Sequence, residues 1–129
     1  MQAWVFALHV VMLRSGRIVV SHAASQLKPV VLTIVDDTGT VIHSYNGPPN
    51  QARMQILGGL AVNDCDNVFL ADQGNSRIKL LSSNLGHIGY VAIKTCCPRA
   101  LHFDEVRRLL YFGEVGGRLL ISSIIISSQ

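Results

Sequence analysis

The sequence predicts an all-β fold, and three observations carry that prediction. Short apolar runs rich in β-branched residues recur along the chain, each bounded by Gly, Asn, Asp or Pro, at the spacing of about 8–12 residues that marks sandwiches, barrels and propellers. No window of a dozen residues carries a 3.6-residue apolar period, so no helix is predicted. Several runs are apolar at consecutive positions: Ile18-Val19-Val20, Val68-Phe69-Leu70-Ala71 and Leu109-Leu110-Tyr111-Phe112. A sheet with one wet face alternates, whereas a continuous run means that both faces are covered. In an antiparallel chain, the architecture that covers successive sheets in this way is a β-propeller, in which each blade packs between two neighbours.

Taken in order, the runs predict strands at 8–13, 17–22, 30–36 and 40–45, then 58–63, 67–72, 77–82 and 88–93, then 99–103, 109–114 and 118–124. Arg14-Ser15-Gly16 separates the first two, with Gly16 supplying left-handed backbone for a tight reversal. The stretch 47–55, rich in Pro, Asn and Gln, reads as a loop between two units. Asn67 takes the reversal before the sixth strand, Asp72 closes that strand, and Gly74-Asn75 make the next turn. Gly58-Gly59 suit a narrow inner strand, and Gly116-Gly117 a turn. Grouped by these breaks, the chain is a single unit of about three four-stranded antiparallel blades, 8–45, 56–93 and 97–124, an incomplete ring.

Composition sets the outer limits. The chain has 129 residues, enough for one domain at most. It is 49% hydrophobic and 15% charged, which excludes a disordered tail. The net charge of +3 comes from scattered Lys and Arg, not from a run. Ala3 to Leu13 is apolar except for His9. It is too short to span a bilayer and lacks a basic residue before it, so it reads as a buried first strand; a cleavable leader ending near Ala23 is the alternative. The apolar end, Leu119 to Ile126, is interrupted by Ser122 and Ser123 and reads as an exposed sheet edge, so no membrane contact is expected. The odd cysteine count, Cys65, Cys96 and Cys97, excludes a paired disulfide framework and favours a reducing, cytoplasmic setting. All three are expected to be small buried apolar residues, and strand alternation would send Cys96 and Cys97 to opposite faces.

An internal repeat organises the chain. The segment Leu60 to Leu81 runs from a short strand through Asp64, Asp66 and Asn67 to Val68-Phe69-Leu70-Ala71-Asp72, then through Gly74-Asn75 to Arg77-Ile78-Lys79-Leu80-Leu81. The segment Ala100 to Ile121 repeats the grammar, with Asp104-Glu105, Leu110-Tyr111-Phe112-Gly113-Glu114, then Gly116-Gly117-Arg118. Val62 and Phe103 stand 41 residues apart, a blade period. Met12 and Val62 stand 50 apart, the excess falling in the loops 23–29 and 47–55. Asp72 with Asn75 and Arg77, and Glu114 with Arg118, face each other across the same turn of successive repeats. Recurrence at equivalent positions argues for a structural turn clamp rather than for catalytic acids.

At these residues the chain resembles the NHL-repeat family. The match is strongest over Asp66-Asn67, Val68, Ala71-Asp72, Asn75, Arg77 and Ile78, good over 98–121, where Glu114 replaces the usual Asp, and weak at the start, where His22 stands in the acid's place. The resemblance implies four-stranded blades, usually six to a ring, in rings that commonly bind protein or RNA. Such rings often form the substrate-recognition part of tripartite-motif ubiquitin ligases. RING and B-box cysteine–histidine spacings do not occur, so ligase activity is not assigned to this chain.

The functional expectation is a non-enzymatic scaffold for a protein partner. Its loops 23–29, 47–55 and 85–89 are the candidate contacts. Three repeats fall short of the 4–8 blades of a closed propeller, so further blades or self-association are expected to complete the ring. The first alternative is an RNA-binding surface, favoured if Arg14, Arg53, Lys94, Arg107 and Arg108 share one face. The second is part of a propeller enzyme, lyase- or lactonase-like, favoured if His9, His22, His43, His87 and His102 converge on the ring axis. No His-x-x-x-His or Cys-x-x-Cys spacing, nucleophile elbow or phosphate loop is present, so no metal, catalytic residue or cofactor is predicted. Trp4 and Tyr45 are candidate interface anchors or, more simply, core.

Overall fold

A computed structural model describes residues 6–23, 31–45, 57–124 and 126–127. Most of the loops 23–29 and 47–55, with Trp4 and Arg53, lies outside the described residues. The described residues form twelve strands: β1 (Phe6–Met12), β2 (Ile18–Ala23), β3 (Val31–Val35), β4 (Val41–Tyr45), β5 (Leu57–Val62), β6 (Val68–Asp72), β7 (Arg77–Leu81), β8 (His87–Val91), β9 (Pro98–Asp104), β10 (Leu109–Glu114), β11 (Leu119–Ser123) and β12 (Ile126–Ser127). The one helical element among the described residues is a 3-10 turn at Gln73–Asn75.

The strands form three antiparallel sheets in simple meander order, β1-β2-β3-β4, β5-β6-β7-β8 and β9-β10-β11. Two features depart from the expected four strands per blade. The third sheet has three strands, and β12 pairs with the outer edge of β8, making the second sheet five-stranded. The run 119–126 is therefore two strands on two different sheets.

The run in β6 has the physical reason the sequence implied, whereas the run 109–112 of β10, on an outermost sheet, alternates between half-buried and buried positions. All five residues of β6 are buried, because the second sheet is packed on both faces. One face of it, through Leu60, Val68, Leu70, Leu81 and Leu85, meets Leu13, Val19, Leu32 and Ile34 of the first sheet. The other, through Ala61, Phe69, Ile78, Leu80 and Val91, meets Phe103, Leu110 and Phe112 of the third. Successive residues alternate between these two cores, as strand geometry requires. The Phe69 and Phe103 rings stack at 5.5 Å between centroids. Tyr45 packs against the first core rather than standing free.

The first strands β1, β5 and β9 pack side by side and form the inner layer. Gly58 is what allows the close approach there: a Cβ on it would lie within 2.7 Å of the Arg99 Cα. Gly16, at φ +90, takes the left-handed place in the β1–β2 turn. In the β5–β6 turn that place belongs to Asp66 (φ 61) and not to Asn67, and after the 3-10 turn it belongs to Ser76 (φ 50). Asn63 explains the shift, since its Oδ1 accepts the amides of both Cys65 and Asn67 and so sets the loop around Asp66.

Candidate functional site

Because every strand reverses, the turns sort onto two ends of the stacked sheets. One end carries the turns 13–17, 36–40, 63–67, 82–86 and 104–108. A side chain caps most of them from within: Asp36 accepts from Thr38 and Thr40, Ser82 from Gly86, and Asp104 from Val106 and Arg107. The three inner turns are also tied to one another across the sheets. Asp66 accepts the backbone amides of Arg14 at 2.6 Å and Ser15 at 3.2 Å. Arg14 donates to Glu105 at 2.7 Å, and Arg108 to Asp64 at 2.6 Å. The Arg108 guanidinium holds the Asp64 carboxyl below its ordinary value.

The opposite end carries the turns 73–76, 92–97 and 115–118. Here Asp72, fully buried, accepts from Arg77 Nε at 3.0 Å and from the Asn75 amide. Glu114 accepts from Arg118 Nε at 2.6 Å through one oxygen. Its other oxygen takes the Thr95 hydroxyl and the Cys96 amide, both at 2.8 Å. These bonds, that of Arg118 foremost, hold the Glu114 carboxyl down to about 2. Glu114 thus does more than close its own hairpin: it fastens the 92–97 connection between the second and third sheets.

The basic residues fall at both ends. Arg14, Arg107 and Arg108 stand at the first, where Glu105, Asp104 and Asp64 pair with them. Lys94 stands at the second, and Arg53 lies outside the described residues. Of the histidines, His9 and His102 belong to inner strands, while His22, His43 and His87 belong to β2, β4 and β8. His22 bonds Thr33 at 2.7 Å, and His102 lies 6.3 Å from the Tyr111 ring. An open hollow of about 360 Å³ runs along the inner strands between His9, Val10, Gly59, Leu60, Arg99, Ala100 and Leu101. Among the described residues, no group of three or more His, Cys, Asp or Glu is placed to hold a metal ion.

Two features were not legible in the sequence, and a third was legible only in part, at the 119–126 end. Lys79 is fully buried in β7, its ammonium 3.5 Å from the Tyr45 hydroxyl and near the Tyr90 ring; burial, with the Arg77 charge, pushes its pKa down. Its place inside an apolar strand reads as a surface position in a one-dimensional pattern. Second, Cys65 and Cys96 are exposed and Cys97 is half-buried, contrary to the expectation of buried thiols. Cys96 and Cys97 lie in the loop before β9, not in a strand, and Cys97 has φ 54. That turn of backbone brings both sulfurs to the same side, 3.8 Å apart. Third, the outermost sheets leave apolar residues uncovered: Leu8, Val10 and Met12 on β1, and Leu119 and Ile121 on β11.

No family model matches the chain, and no curated protein matches it in sequence. Solved structures do match in shape. The β-propeller domain of Cps50 (Swd1) from Myceliophteria thermophila superposes with a TM-score of 0.67 at 12% identity, over 96% of this chain and 36% of that one. Virginiamycin B lyase from Staphylococcus aureus, in selenomethionine form, gives 0.60 at 12% identity, over 92% and 41%. A streptogramin B lyase structure gives 0.57 at 11%, over 92% and 40%. The chain spans about two fifths of the length of these structures, and at such identities the likeness is one of fold. With its meander sheets packed face to face around an inner layer of first strands, the chain is an all-β, open β-propeller segment.

Proposed function

We propose that the chain is a non-enzymatic binding scaffold, an NHL-type propeller segment that engages a protein partner and is completed by further blades or by a second copy of itself. The observation that carries this reading is the pair of uncovered apolar faces. Val10 and Met12 are 64% and 65% exposed, and Leu119 and Ile121 are 71% and 56% exposed, on the same kind of face that is packed shut between the sheets. Apolar surface of this kind marks protein interaction. The charged side chains at the turns support a scaffold too. Asp64, Asp66, Asp72 and Glu114 are each engaged by partners within the chain. An RNA surface draws less support, because Arg14 and Arg108 pair with acids and Lys94 stands at the other end. Recognition of a substrate for a ubiquitin ligase fits within the scaffold reading, the ligase activity residing elsewhere. The lyase names of two structural relatives favour the enzyme reading only through fold. Unpaired thiols at Cys65, Cys96 and Cys97 support a reducing, cytoplasmic setting.

The test is size-exclusion chromatography with light scattering on the purified chain, with circular dichroism on the same peak. A β-rich dimer is the expected result. A stable, β-rich monomer at the same concentration would show that the open faces need no partner, and would overturn the reading.

A further inference from the structure

The loop between the second and third sheets carries two adjacent thiols that the scaffold reading does not use. In an extended strand their side chains would diverge; here the left-handed backbone of Cys97 turns them together, and the Cys96 thiol donates to the Cys97 sulfur at 3.8 Å. Both are reachable from solvent. The backbone that bears them is anchored on three sides. The Cys96 amide donates to Glu114, the Cys97 amide to the Ser76 hydroxyl at 3.4 Å, and the Val115 amide donates to the Cys97 carbonyl at 3.0 Å. Cys65 stands on the β5–β6 turn at the opposite end of the sheets, out of reach of the pair.

We propose that Cys96 and Cys97 are a reversible redox site, a vicinal dithiol that a small-molecule disulfide such as oxidised glutathione converts to an intramolecular disulfide. One thiolate attacks the glutathione disulfide, forming a mixed disulfide and releasing one glutathione thiolate. The neighbouring thiolate then attacks the protein sulfur of that mixed disulfide and releases the second. Two protein thiols lose two electrons and two protons, and one glutathione disulfide becomes two glutathione thiols. Adjacent Cα atoms lie about 3.8 Å apart across a trans peptide, below the usual disulfide range of about 4.4–6.8 Å, so the bond is strained and easily reduced. A labile disulfide of this kind is regulatory rather than structural. Closing it draws the sulfurs from 3.8 Å to about 2 Å and turns the 96–97 peptide. That peptide is held by Ser76 through the Cys97 amide, and the peptides on either side of it by Glu114 and Val115, so oxidation loosens the joint between the second and third sheets.

The experiment uses the whole chain, unsubstituted in its main arm. Tryptic cleavage after Lys94 and Arg99 gives a peptide, 95–99, that contains both cysteines and excludes Cys65. After treatment with oxidised glutathione and trapping of free thiols, this peptide is expected to lose both titratable thiols and two hydrogens in mass, with no glutathione attached, and to recover on reduction. Oxidation is expected to be faster in the folded chain than in urea, and to speed hydrogen exchange at the Val115 amide. A Cys97→Ser chain is expected to stop at the glutathione adduct on Cys96. A persistent adduct in the native chain, intermolecular bridges in its place, or an equal rate in urea would overturn the proposal. Phenylarsine oxide, which requires two convergent thiols, checks the geometry independently: one arsenic retained on peptide 95–99 supports the site, and none overturns it.

Discussion

On Glu114, three donors converge: Arg118 Nε, the Thr95 hydroxyl and the Cys96 amide. A carboxylate so placed is worth more to the folded chain ionised than protonated. Its folded pKa is depressed from 4.5 to about 2, so its contribution is fully present above 4.5 and is lost as the pH falls through that interval. Thermal melting between pH 5 and pH 2 is therefore expected to show a smaller acid loss for Glu114→Gln than for the native chain. Equal acid losses would assign the effect to other depressed carboxylates, such as Asp36 and Asp64. The Glu114–Arg118 and Asp72–Arg77 pairs were legible because a hairpin turn brings residues four or five apart within reach. The Arg14–Glu105 and Arg108–Asp64 pairs were not, since their partners are 91 and 44 residues away and only the stacking of sheets unites them. The Cys96–Cys97 convergence was hidden for a different reason: alternation holds only while the backbone stays extended, and residue 97 leaves it.

Strands were the most legible level. Once the punctuation rules out helix, a short run that is apolar at every position fits a strand packed between two sheets and little else. What one dimension could not carry was depth. Lys79 occupies a buried position that a surface residue would fill equally well in the pattern, and β12 joins a sheet whose other strands end 35 residues earlier, at Val91. The inner layer is where an element is most constrained. Gly58 faces the Arg99 backbone so closely that any Cβ must push β5 away from β9, and backbone does not yield as a flexible side chain does. Gly58→Ala is expected to cost about 1–3 kcal/mol, the range for overpacking a close contact. Gly116, which has open space around it, serves as the control: Gly116→Ala should stay within about 0.5 kcal/mol of the native chain. Urea denaturation followed by circular dichroism checks both. Equal effects at the two positions would mean that the β5–β9 approach is not what requires glycine.

For the whole molecule, the decisive geometry is that the two uncovered faces are different surfaces. One is built on β1, the other on β11, and a contact joining them is heterologous. Repeat arithmetic alone exposed this problem, since about three blades cannot close a ring, but it could not say which side chains would be left bare. Two copies closing into one ring would use the same contact twice, the β1 face of each against the β11 face of the other. A charge buried without a partner in either face should then break both contacts at once. Val10→Lys and Ile121→Lys, both at exposed positions, are each expected to give a folded monomer by light scattering with an unchanged β-sheet spectrum. Mixing the two variants should restore association in part. The intact β11 face of the Val10→Lys chain can still meet the intact β1 face of the Ile121→Lys chain, giving an open heterodimer held by one contact. Indiscriminate sticking of apolar surface predicts otherwise: each variant alone would still associate, and mixing would form no defined pair. Recovery of a one-to-one complex from the mixture, and from neither variant alone, would assign the two faces to each other.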